Sequence, residues 1–187
     1  MKMRAHLFFL AFMLTPCFAS GQDFDGRMQQ AAGLYKEGQY NQSALIFEQW
    51  LPEAKKTHGA GDTAWLARYE IAGLCYLKAG RYDKAEQIFT ELKKKHSTGR
   101  NANPLGYAID LNHLGKCYEK AGKYQESQSM LEEARNLLQS LPDLPRPALA
   151  ANLNDLGVLY CDMGNYDSAF SLLNAAVQIR KNEVGVN

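Results

Sequence analysis

Side chains able to ligate, attack or shuttle protons are few in this chain and far apart. Beyond the first twenty residues there are three cysteines, Cys75, Cys117 and Cys161, and three histidines, His58, His96 and His113. A catalytic centre would need several such groups to converge, and the sequence holds no P-loop, no G-x-G-x-x-G, no G-x-S-x-G, no H-E-x-x-H and no C-x-x-C. Cys75 and Cys117 stand 42 residues apart in one column of a repeat described below. Such positions on successive units should lie beyond the roughly 7 Å Cα separation that a disulfide tolerates. They are expected to be buried free thiols, and Cys161, offset from that column, is a lone thiol. His58 and His96 fall near helix ends, where a cation complements the dipole. No catalytic residue, metal or cofactor is expected, and the acids read as surface charge.

Groups this scattered act only through the elements that carry them. The 187 residues are 22% charged and 46% hydrophobic with a formal charge of +1, the composition of a soluble globular protein. The near-neutral balance excludes the basic face a nucleic-acid binder would show.

The totals mix two unlike parts. Met1–Arg4 is basic, Leu7–Leu14 is an unbroken apolar run, and Cys17-Phe-Ala-Ser-Gly21 offers small residues where a signal peptidase reads them. Residues 1–21 therefore read as a signal peptide, and the protein as exported, periplasmic or extracellular. The apolar run is far short of the roughly 20 residues a membrane-spanning helix needs, so no span is expected. Leu14-Thr15-Pro16-Cys17 loosely resembles a bacterial lipobox, but proline stands where that motif has Gly, Ala or Ser, which makes lipidation at Cys17 the weaker reading. Removing Lys2 and Arg4 with the leader takes the formal charge from +1 to −1.

The remainder repeats. Gly38, Gly80, Gly122 and Gly164 recur every 42 residues, each followed two positions on by Tyr40, Tyr82, Tyr124 or Tyr166. Seven residues before each glycine stand Ala31, Gly73, Gly115 and Gly157; five after stand Ser43, Ala85, Ser127 and Ala169; nine after stand Phe47, Phe89, Leu131 and Leu173. The stretch before the glycine has helical period, as in Leu111, Leu114, Gly115 and Tyr118. The glycine suits a left-handed C-cap. Asn41, Asp83 and Asp167 are placed to cap a second helix, with Asp83–Glu86 at capping-box spacing. Each unit thus predicts an antiparallel helix hairpin. Pro142, Pro145 and Pro147 mark a linker, and Pro52 predicts a kink or early end in the second helix of the first unit.

At these columns the chain resembles the tetratricopeptide repeat (TPR) family, in the 42-residue form seen in kinesin light chains and in many exported bacterial proteins. The resemblance implies an all-α, right-handed solenoid of about four hairpins: a divergent unit at 24–65, then 66–107, 108–149, and an incomplete one at 150–187. It also implies a non-catalytic scaffold whose first helices line a concave groove for a polypeptide partner. Residues offset from the packing columns then become groove candidates: Tyr35, Glu70, Lys78, Asn112, Lys116, Lys120 and Asn154. Asn112 and Asn154, one repeat apart, could grip a peptide backbone or could satisfy a neighbouring helix. Lys36, Lys78 and Lys120 could favour an acidic partner or could serve the helix dipole. The carboxylate clamp of chaperone-binding relatives is not supplied. An alternative is the recognition region of a larger bacterial effector bearing a caspase-like peptidase or a histidine kinase. The last unit has no covering helix, so Leu172, Ala176 and Ile179 are expected to be exposed and to favour self-association.

Overall fold

Eight helices account for nearly all of residues 21–57, 63–97 and 102–184, which the computed structural model describes, and no strand occurs among them. They are α1 (Gly21–Lys36), α2 (Tyr40–Thr57), α3 (Thr63–Lys78), α4 (Tyr82–Ser97), α5 (Pro104–Lys120), α6 (Tyr124–Ser140), α7 (Arg146–Asp162) and α8 (Tyr166–Val184). Each helix packs on the next, giving four hairpins, and α5 also touches α7 while α1 touches α3. The architecture is an all-α solenoid. The leader expected over 1–21 lies outside the described residues but for Gly21, and His58 lies outside them too.

Glycine makes the hairpin turns. Gly38, Gly80, Gly122 and Gly164 have φ of 77°, 74°, 73° and 78°, a region other residues enter at a cost. At the second turn Gly80 N–H donates to Leu77 O at 3.2 Å and Arg81 N–H to Tyr76 O at 2.8 Å, and each of the others closes its helix by the same two bonds. The tyrosine after each glycine begins the second helix, two residues earlier than caps at Asn41, Asp83 and Asp167 would place it. Asp83 and Asp167 therefore sit inside the first turn, where their charge favours the dipole, and do not cap. In the fourth hairpin the cap is Asn165, whose Oδ1 accepts from Ser168 N–H at 3.3 Å.

A second glycine column lets the hairpins close. A Cβ on Gly115 would stand 2.5 Å from Leu131 Cγ, and one on Gly157 would stand 2.6 Å from Leu173 Cγ, so the side chain of the second helix fills the notch in the first. Phe47, Phe89 and Leu131, equivalent positions in three hairpins, are fully buried. One core cluster runs through the first two hairpins into α5, and smaller ones join α5–α8. Burying each such side chain contributes about 1.5–3 kcal/mol, which is why stacking holds the array together.

Pro52 does not end α2, which runs through it to Thr57. Buried Trp50 and Ala54 flank the proline and fix the helix against its neighbours, so tertiary packing outweighs the lost backbone bond. In the last hairpin Ala176 is buried, and Leu172 and Ile179 pack against the α5–α8 core, contrary to the exposure expected for them. The large exposed apolar residues described on α8 are Tyr166, Phe170 and Val177.

Candidate functional site

The first helices of successive hairpins, α3, α5 and α7, meet at two junctions. Helices α5 and α7 approach each other closely, whereas α3 and α5 do so less, and the contrast begins with side chains at equivalent repeat positions.

Between α5 and α7 the polar groups bond one another, and only Asn152 Oδ1 among them is buried without a partner. Asn152, fully buried, donates through Nδ2 to Asn112 Oδ1 at 2.8 Å and to the Leu131 carbonyl at 2.8 Å. Asn112 Nδ2 donates to Asp155 Oδ2 at 2.6 Å, and Lys116 Nζ reaches Asp155 Oδ1 at 3.1 Å. Neutral amides need no counter-charge, and the single carboxylate has a lysine, so the network can be buried. Beside this junction, between α6 and α7, Tyr160 Oη donates to Glu132 Oε1 at 3.0 Å and accepts from Gln128 Nε2 at 3.1 Å.

Between α3 and α5 the equivalent positions carry acids: Glu70 stands 42 residues before Asn112, and Asp110 stands 42 before Asn152. Asp110 is 1% exposed and its Oδ2 lies 2.6 Å from His96 Nδ1, which α4 contributes from its last turn. Burial, and then the Glu70 carboxylate, push Asp110 up to about 8, against a smaller opposing effect of Lys93. Burial also lowers the His96 imidazolium and raises the Glu70 carboxyl. All three groups are driven toward their neutral forms, so near neutrality Asp110 holds a proton that bridges to His96. Gly106 makes the approach possible, because a Cβ there would stand 3.0 Å from His96 Nδ1. Above this cluster a cleft of about 450 Å³ opens between α3 and α5, with Leu66, Leu105 and Ile109 on its walls and Glu70 facing it.

The groove candidates from the sequence divide accordingly. Asn112 and Lys116 come together on Asp155, and Glu70 joins His96 and Asp110. Asn112 is 9% exposed with both ends of its amide engaged by α7, which is the neighbouring-helix role. Asn154 is half-buried on α7 and takes no part in that network. Lys78 is exposed in the last turn of α3. Lys120 pairs with Glu119 at 2.6 Å, and that bond raises its ammonium pKa. Tyr35 packs against the first core with its ring edge-on to Tyr40 at 5.4 Å. Cys75 and Cys117 are buried free thiols, and burial pushes Cys117 up to about 12, which keeps it unreactive. His113 stacks on Phe89 at 4.6 Å, and burial, then Lys116, lower it to about 4.

Sequence reasoning missed Asp110, Asn152, Asp155 and the reach of His96 into the junction. The signal was present in the columns: extending the 42-residue alignment by two more positions sets Glu70 and Asp110 against Asn112 and Asn152. Paired acids where the next repeat pairs amides mark a junction with different chemistry.

Comparison with known proteins bears on the fold and the family. Tetratricopeptide repeat models match residues 67–98 and 107–182. A Podosopora anserina protein, described as a kinesin light chain with nearly identical TPR-like repeats, is 18% identical over 86% of this chain and 76% of its own, with a TM-score of 0.65. BtubC (BKLC) from P. vanneervenii is 18% identical with a TM-score of 0.69 over 85% of this chain, which spans only 63% of that protein. None of the curated proteins matches. Hairpins closed by a glycine, a glycine notch in three of the four first helices, and family models over both the second hairpin and the last two place the chain in the tetratricopeptide repeat family, whose repeats are scaffolds for protein–protein interaction.

Proposed function

We propose that the chain is an exported, non-catalytic scaffold that holds another polypeptide along α3, α5 and α7. The observation that carries this reading is the open cleft between α3 and α5, at a place where the next junction is closed by buried amides. Apolar walls and a half-buried carboxylate suit a lysine or arginine side chain, whose methylene stem packs while its charged end meets Glu70. The partner is therefore a polypeptide with a basic residue flanked by apolar ones. The lysines argue less for an acidic partner, because Lys116 and Lys120 already have carboxylates beside them.

Binding to an array of such peptides tests the reading. Glu70→Gln is expected to weaken the best binders about tenfold, and a double Asn112→Ala, Asn154→Ala variant adds the groove positions read from the sequence. Equal binding by all three proteins would refute the groove. Export is supported by the basic start, the apolar run and the small residues before Gly21, and mass spectrometry of the mature N-terminus checks it together with Cys17. As the recognition region of a larger effector with a peptidase or kinase module, the chain would use the same groove.

A further inference from the structure

The cleft between α3 and α5 holds two carboxyl groups in unlike surroundings. Glu70 faces the opening and is half-buried, whereas Asp110 lies behind it, 1% exposed, with its Oδ2 2.6 Å from His96 Nδ1. That contact requires a proton between the two atoms, since a carboxylate and a bare imidazole nitrogen both only accept. Two arrangements supply it: Asp110 as an acid donating to Nδ1, or Asp110 ionised and accepting from Nδ1–H. Burial, and then the Glu70 charge, favour the acid. Glu70 acts on Asp110 from α3, and His96 and Lys93 stand against it from α4; no charged group of α6 or α7, the other helices packed on α5, acts on it among the described residues. Lys93 is the one cation of the set, and its effect is smaller than those of burial and Glu70.

A guanidinium or ammonium group docking on Glu70 changes that balance. It cancels the charge that opposes ionisation of Asp110 and adds a positive charge of its own, between apolar walls that keep screening weak. Asp110 then passes its proton to His96 Nδ1, and the imidazole, 14% exposed, gives the proton on its other nitrogen to water. One proton leaves, the bond between Asp110 and His96 survives with its donor reversed, and a second carboxylate now acts on the cation. At the next junction the paired amides of Asn112 and Asn152 cannot ionise in this way.

We infer that capture of a basic side chain at Glu70 expels one proton from the Asp110–His96 pair, so that the scaffold holds its partner in neutral to alkaline surroundings and releases it on acidification. The inference rests on the cleft being the place where the partner's basic residue docks. A short peptide capped at both ends, with arginine between two leucines and only glycine and serine elsewhere, carries nothing that titrates near neutrality. Calorimetric titration with this peptide in two buffers of unlike ionisation enthalpy counts the protons released and gives the affinity. Near pH 7 about one proton should leave per peptide bound, and the affinity should rise at least about tenfold from pH 6 to pH 8. Asp110→Asn should release almost none at pH 7, and at pH 8 should bind about as weakly as the wild type does at pH 6. Binding of equal strength at both pH values with no proton released overturns the inference and leaves the groove standing, whereas binding at neither removes both. A pH response that Asp110→Asn leaves intact also overturns it, by placing the proton on Glu70.

Discussion

Between α5 and α7 the facing positions 112 and 152 carry amides, and between α3 and α5 the same positions, 70 and 110, carry carboxylates. The amides bond each other and vanish into the interface. The carboxylates cannot do so: one takes a proton from the surroundings and leans on His96, the other stays at the edge of a cleft. An equivalent backbone therefore yields a sealed junction in one place and an open, proton-dependent one in the next. What differs is whether two buried polar groups can share hydrogen bonds without a net charge. The scaffold supplies the pairing geometry, and two residue identities decide whether it becomes a wall or a cleft.

The largest effect should come from making the sealed junction resemble the open one. Asn152→Asp places a second carboxylate near Asp155, removes the donor to Asn112 and Leu131, and is expected to cost about 3–5 kcal/mol in urea unfolding at neutral pH. A cost under about 1 kcal/mol would show that the network can absorb a charge.

The reverse graft, Asp110→Asn, should stabilise the chain. Because folding raises the Asp110 pKa, the stability it contributes is complete below the unfolded carboxyl value of about 4 and is lost as pH rises through about 8. The wild type should thus lose stability from pH 5 to 9, and the variant should flatten that slope and gain about 1–3 kcal/mol above pH 8. Thermal unfolding across that range measures both, and parallel profiles would mean that Asp110 does not titrate there.

Smaller effects probe the supports of the sealed side. Lys116→Met leaves Asp155 with only its amide partner and should cost about 1 kcal/mol, an effect weakened by salt in the wild type. Tyr160→Phe, which gives up the bonds to Gln128 and Glu132, should cost about 0.5–1 kcal/mol. Its counterpart Tyr118→Phe loses one bond, to Glu86, and should cost less. Chemical denaturation resolves these if the transition stays two-state, and equal costs for the two tyrosines would remove that part of the contrast.

Much of this was legible from the residues. The 42-residue columns gave the hairpins, the glycine turns and the notches, because each rests on a local requirement: a left-handed dihedral at Gly80, or the missing Cβ at Gly115. Helix starts were legible only to within two residues, since Asp83 can serve a helix as its cap or from inside its first turn. The site was less legible. Asn112 was singled out for its type and position, but its partners lie 40 and 43 residues away, on a helix whose rotation the columns do not specify. His96 was read through its own helix end, and its reach into α5 depends on the absence of a side chain at Gly106.

By itself the sequence determined the repeat, its helical class and the family to which it belongs, because these follow from local dihedral preferences and from apolar periodicity repeated often enough to be unmistakable. Tertiary structure decided which polar residues face each other across a junction and which of them can stay charged. Those outcomes depend on distances of a few ångströms between residues some 40 positions apart, and on burial, which changes the preferred protonation state of Asp110 without changing its identity.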